Sequence, residues 1–126
     1  MATLTLGTTF GNAIIDHMLR NQAYTPPSAL YLSLHTADPS TTGASEVTGG
    51  SYGRQSVTLA AAASKATTNS GDVTFTLLPA ATITHVGVWT ASSGGTFVGG
   101  GALTASKTTS AGDTLRIPSG DLDLTV

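Results

Sequence analysis

Along LYLSLHTADPSTTGASEV, residues 30–47, Leu30, Leu32 and Leu34 alternate with Tyr31, Ser33 and His35. A period of two puts the leucines on one face of a strand and turns His35 away from the core. Asp38 and Pro39 break that strand, and the small polar residues 40–45 compose a loop. Strand-forming composition returns in RQSVTLA, DVTFTL, ATITHVGVWT, TFVGGGALT, DTLRIP and DLDLTV, separated by Gly, Pro and Ser. Regular pleating puts Val73, Phe75 and Leu77 on one face, and likewise Leu122, Leu124 and Val126. It also groups Ile83, His85, Gly87 and Trp89, where Gly87 leaves room for a neighbour's ring. One apolar and one polar side per strand is the signature of antiparallel sheets.

A period near 3.6 occurs once. In TTFGNAIIDHMLRNQ, Phe10, Ala13, Ile14 and Met18 form a stripe that Ile15 and Leu19 widen, which predicts a helix over about residues 9–21. Thr8 or Thr9 is placed to cap it, His17 and Arg20 lie near its C-terminal end, and Pro26 with Pro27 stops it. The stripe is apolar enough to require protein against it, from this chain or a neighbour. The tract at residues 60–68 reads as a loop, and SGD, AGD and SGD, ahead of the strands that follow them, mark turns. A helix followed by strands alone predicts a mainly β chain: an antiparallel β-sandwich, jelly-roll-like, with a short N-terminal α-helix. At 126 residues this is one domain over 1–126, with the sandwich over about 28–126.

Composition narrows the classes of function. A net charge of -2, with only five scattered Lys and Arg, offers no field for nucleic acid or anionic lipid. No basic residue precedes an apolar N-terminal run, and no uninterrupted apolar stretch has membrane-spanning length. Cysteine is absent, which removes disulfides, thiol nucleophiles and thiolate metal sites. Charged residues are only 10% of the chain, far below the roughly 25% of ordinary soluble domains. A surface of hydroxyls and small side chains suits a subunit packed against copies or partners.

Three motifs invite chemical readings. GGSYG, residues 49–53, matches G-x-S-x-G, and Asp72 and His85 follow Ser51 in hydrolase order. The nucleophile turn needs a strand before the serine and a helix after it, whereas here a loop precedes and a strand follows. GALTASKT, residues 101–108, approaches the phosphate-binding pattern but has Ser106 in place of a glycine and no helix to open. His17, His35 and His85 are far apart, and Asp121 with Asp123 supplies too few oxygens for Ca²⁺. The sequence therefore assigns no catalytic, cofactor-binding or metal-binding residue. Trp89 and Tyr31 offer flat faces on which a sugar could stack, although a core role for Trp89 is the simpler reading.

The order of segments resembles a family of small virion proteins of tailed bacteriophages and prophages, described as tail-fibre or minor tail proteins, some as capsid decorations. The likeness runs through IIDHMLRNQAYTPP, ALYLSLHTADP, GASEVTGGSYGRQSVT, ATITHVGVWTA and GGGALTASKTTSAGDTLRIPSGDLDL. It implies a non-enzymatic structural subunit, resident in the virion after assembly in the bacterial cytoplasm. The implied partners are other virion proteins and further copies, with a trimer one arrangement. The loop over about residues 38–53 is then the expected assembly contact, with His35, Asp38, Glu46, Tyr52 and Arg54 as its candidate residues. Its Gly, Ser and Thr content predicts mobility in the free subunit. The alternative is a carbohydrate-binding β-sandwich touching host surface glycans through Trp89 and Tyr31.

Overall fold

The computed structural model describes residues 5–125. The elements run β1 (Thr5–Leu6), α1 (Thr8–Leu19), β2 (Leu30–His35), β3 (Gln55–Val57), β4 (Ala66–Thr68) and β5 (Val73–Leu78). They continue as β6 (Ala81–Trp89), β7 (Phe97–Thr109), β8 (Asp113–Ile117) and β9 (Asp123–Thr125). One five-stranded sheet has the order β1-β7-β6-β2-β3, and the remaining strands form two pairs, β4-β9 and β5-β8. Every pairing is antiparallel. The architecture is sandwich-like and unclosed, as alternation and turn spacing predict. Leu32, Leu34, Val86, Val88 and Val98 of the large sheet bury their side chains with Val73, Phe75, Leu78 and Leu124 of the small pairs and with Leu122 just before β9.

Several strands depart from regular pleating. The β5–β8 register shifts between Phe75 and Leu78, so Leu78 enters the core and Leu77 is 58% exposed. Leu77 therefore does not share the face of Val73 and Phe75. A second shift, between Ile83 and His85, separates Ile83 from the face of His85, Gly87 and Trp89 and puts it in the core with Val86 and Val88. The first is the face switch that one extra residue in β5 produces, and the second is a wider irregularity in which β7 carries the extra residues opposite Ile83 and His85. Leu122 and Leu124 are buried together as expected, while Val126 lies outside the described residues. Residues 66–68, expected in a loop, pair instead with β9. The phosphate-loop look-alike lies inside β7, where Lys107 is exposed and pairs in register with Ile83.

The helix forms where the 3.6 period predicts, yet its cap differs. Gly7 takes the N-cap position without a side-chain hydrogen bond, because a side chain there would run into the Phe97 carbonyl. At the other end Asn21 adopts a left-handed conformation and the Gln22 N–H returns to the Asp16 carbonyl at 3.0 Å. Only part of the stripe packs within the chain. Phe10 reaches the core and meets Tyr24 edge to face, while Met18 and Leu19 are 69% and 79% exposed.

Candidate functional site

The polar face of the large sheet carries a second buried layer. Alternation along β2 places Tyr31, Ser33 and His35 opposite the leucine face, yet Ser33 and His35 are fully buried. The expectation that His35 turns away from the leucines holds. What the pattern does not reveal is that residues 36–45 fold back over it. Pro39 is buried among the covering residues. Asp38 accepts a hydrogen bond from the Ser40 N–H at 2.8 Å, and the Gly43 N–H donates to the Pro39 carbonyl at 2.9 Å. The chain then rejoins β2, where the Val47 N–H meets the Leu34 carbonyl at 2.9 Å and Val47 enters the core. This segment is thus held by several hydrogen bonds, within itself and to β2.

Glycine makes the second layer possible. A Cβ on Gly87 would lie 2.7 Å from both His35 Nε2 and Ser33 Oγ. Gly43, at φ +80, fits against the Trp89 ring where a side chain would collide. Phe97 fills the remaining space, with its ring centroid 5.1 Å from Trp89 and 6.4 Å from His35. Trp89 therefore lies in this outer layer, half-buried, and not in the sandwich core.

Hydrogen bonds fix the chemical state of His35. Trp89 Nε1–H can only donate, and it does so to Ser33 Oγ at 3.0 Å. The Ser33 hydroxyl then donates to His35 Nε2 at 2.7 Å, which requires the proton on Nδ1, where it meets the Ala44 carbonyl at 2.7 Å. The Ala44 carbonyl can only accept, so Nδ1 carries a proton, and the neutral Nδ1–H tautomer is the state in which every group of the chain has a partner. Burial pushes its pKa below the ordinary value and outweighs the Ala44 bond and the Glu46 charge, which act in the opposite direction.

Beside this chain sits a charged cluster. Arg54 donates from Nε and one terminal nitrogen to the two carboxylate oxygens of Glu46, each at 2.9 Å. Its other terminal nitrogen donates to the Ala91 and Gly94 carbonyls, and the guanidinium lies 3.8 Å from the Trp89 ring centroid. Tyr52 donates to Glu46 at 2.8 Å, accepts the Leu34 N–H at 3.1 Å and stacks on Phe75. Burial raises the Tyr52 pKa, and the Glu46 carboxylate adds to the rise. Burial also works to raise the Glu46 pKa, but the Arg54 and Tyr52 hydrogen bonds outweigh it and hold Glu46 below its ordinary value.

The fold thus brings together His35, Glu46, Tyr52, Arg54 and Trp89, and leaves Asp38 exposed apart from them. Tyr31 stands opposite Trp89 in the β2–β6 register. Arg54 occupies a face of the Trp89 ring, so a sugar stacking there would have to displace it. Sequence reasoning missed Ser33, Gly43 and Phe97; the signal available was Gly87, opposite Ser33 on a shared face.

The other motif residues have separate partners. Ser51 is exposed, with its N–H on the Leu77 carbonyl. His85 Nδ1 contacts Thr84 Oγ1 at 2.7 Å, and Asp72 accepts from Arg116 and the Ser119 N–H. Asp121 and Asp123 line a groove of about 570 Å³ with Lys107, Leu115 and Ile117. Among the described residues no three His, Asp or Glu side chains gather as metal ligands, and no helix is long and apolar enough to cross a membrane.

No curated protein matches the chain. The family model described as podophage GP4 fiber I protein gp80 matches residues 5–125, nearly the whole length of helix, sheet and polar cluster, and the chain belongs to this family of phage fibre proteins.

Proposed function

We propose that the chain is a non-enzymatic structural subunit of a tailed-phage fibre, working through protein–protein contacts with other virion proteins and further copies. The family match over residues 5–125 carries this reading. The internal chemistry supports it. The polar groups of the outer layer are engaged with one another, and the Ser33 hydroxyl that donates to His35 is fully buried, an arrangement that fixes a shape. His35, Glu46, Tyr52 and Arg54 act in assembly by holding the surface formed by residues 36–54, from which Asp38 projects. A second contribution comes from α1, where Ile15, Met18 and Leu19 are 53%, 69% and 79% exposed at i, i+3 and i+4. Clustered exposed apolar side chains mark contact surfaces. In this reading the protein is made in the bacterial cytoplasm and resides in the virion as one domain.

The test is a pair of surface variants, Asp38→Asn and Met18→Ser with Leu19→Ser, introduced into the phage. Each keeps the wild-type melting temperature of the isolated subunit, and at least the helix variant lowers its incorporation into particles. Wild-type incorporation and particle stability for both would overturn the assembly role of these surfaces.

A further inference from the structure

We propose that His35 is an acid-sensitive latch: protonating its ring releases residues 36–45 from the outer face of the five-stranded sheet and uncovers Trp89 and Phe97. The geometry that carries this is the directional chain from Trp89 through Ser33 and His35 to the Ala44 carbonyl. Every link is satisfied only with Nε2 unprotonated. A proton on Nε2 would face the hydrogen of the Ser33 hydroxyl. The hydroxyl must then rotate and accept from both Nε2 and Trp89, and its own hydrogen loses its acceptor inside a site closed to water. The alternative is to admit water, and the part of the wall that can move is the covering segment.

The attachment of that segment is local to His35. Its Ala44 carbonyl holds Nδ1, Pro39 abuts Gly100, and Gly43 lies against Trp89. The Thr36 N–H to the Ser45 carbonyl, at 3.0 Å, and the Thr8 N–H to the Thr41 carbonyl, at 3.3 Å, complete it. Beyond residue 45 the chain is anchored independently, by Glu46 on Arg54 and by Val47 in the core. The segment can therefore lift without unfolding the sandwich.

The charges around the ring come from each packed element. Glu46, bridged to His35 along the backbone, favours the imidazolium, while Arg54 and His85, its cross-strand partner on β6, oppose it. Tyr52 reaches Glu46 and the Leu34 N–H from the β3 side. From β7 the ring meets Phe97, which carries no charge, and Asp38 in the covering segment is exposed. Burial decides the balance, so the latch holds at neutral pH and opens in acid, below the ordinary histidine value of about 6.5.

Trp89 is the single tryptophan, so its emission reports on the latch directly. The full-length protein is titrated from neutral to acidic pH while Trp89 fluorescence, amide exchange of residues 36–45 and the imidazole C–H resonances are followed. Trp89 emission shifts to the red and exchange of residues 36–45 accelerates, both with the midpoint of the His35 resonance and with the core amides still protected. His35→Gln, which keeps a side-chain donor and acceptor but does not titrate, removes the transition; Glu46→Gln retains it at lower pH. The proposal is overturned if Trp89 emission stays flat while the His35 resonance titrates, if His35→Gln retains the transition, or if Glu46→Gln abolishes it. Should His35→Gln not fold, coincidence or divergence of the three wild-type midpoints decides alone. Subunit incorporation into particles at neutral pH is a separate measurement, so failure of the latch leaves the structural role standing.

Discussion

Arg54 and Trp89 lie face to face, with the guanidinium carbon 3.8 Å from the ring centroid, while the same guanidinium holds Glu46 with two parallel hydrogen bonds. The arginine side chain is 10% exposed and the glutamate 21%, so this pair is largely withdrawn from water. One side chain thereby ties the end of the β2 excursion to β6 and to the turn at residues 91–94.

Removing it leaves Glu46 with Tyr52 as its remaining side-chain donor and takes the arginine donor from the Ala91 and Gly94 carbonyls. Arg54→Ala is expected to cost about 2–4 kcal/mol, toward the range for breaking a buried pair. Arg54→Lys recovers only part, because an ammonium cannot reproduce the bidentate fork. Chemical denaturation of the three proteins checks both statements. A loss within experimental error for Arg54→Ala contradicts them.

Two pH windows follow from the shifted groups. His35 has a lowered folded pKa, so below about 6.5 the unfolded chain takes up a proton that the latched state refuses. Stability falls from there until the pH reaches the lowered folded value. Glu46 also has a lowered folded pKa; its contribution is complete above its unfolded value of about 4.5 and is lost as the pH falls through the folded one. Urea midpoints measured across both windows separate them: His35→Gln flattens the upper window and Glu46→Gln the lower.

Glycines 87 and 53 make an internal comparison. A Cβ at Gly87 meets His35, Ser33 and Phe97 within 3.0 Å, whereas at Gly53 nothing lies within 4 Å. Gly87→Ala is expected to destabilise by about 1–3 kcal/mol and to disturb Trp89 emission. Gly53→Ala is expected to be neutral or to stabilise by up to about 1 kcal/mol. Equal melting temperatures for the two variants would refute the packing of the outer layer.

Asn69, 1% exposed, joins the β4–β5 turn to the β8–β9 turn. Its amide nitrogen donates to the Gly71 and Pro118 carbonyls, and its amide oxygen accepts from the Gly120 and Leu122 N–H groups. Asn69→Ala leaves the buried Leu122 N–H without its acceptor, while the Gly120 N–H keeps the Asn69 backbone carbonyl and the Pro118 carbonyl keeps the Asp121 N–H, with an expected cost of about 1–3 kcal/mol. At neutral pH Asn69→Asp turns a carboxylate oxygen toward the Gly71 and Pro118 carbonyls, so it is expected to cost at least as much as Asn69→Ala. Thermal melts order the three.

Along α1, Phe10→Ala is expected to cost about 2–4 kcal/mol, because the ring reaches the core. Met18→Ala, at a side chain 69% exposed in the isolated subunit, changes stability by less than about 0.5 kcal/mol. A large loss at Met18 that depends on protein concentration would reveal a neighbouring copy against the helix.

Local pattern determined most of the elements. Alternating leucines specify β2, the stripe from Phe10 specifies the helix, and Gly-rich turns separate the strands, because a period of 2.0 or 3.6 is a property of neighbouring residues. The same reasoning pointed to His35, Glu46, Tyr52, Arg54 and Trp89 individually, since charges and aromatics are sparse in this chain. It could not join them. Whether Leu77 or Leu78 enters the core depends on one extra residue against β8, and the grouping of Ile83 depends on a register shift against β7. Both are settled between strands, outside the period of either one. The burial of Ser33 and His35 has the same origin. A polar face reads as solvated until another segment covers it, and the cover here, residues 36–45, fits because Gly43 and Gly87 are far apart in sequence and meet around Trp89 and His35 only in the folded chain.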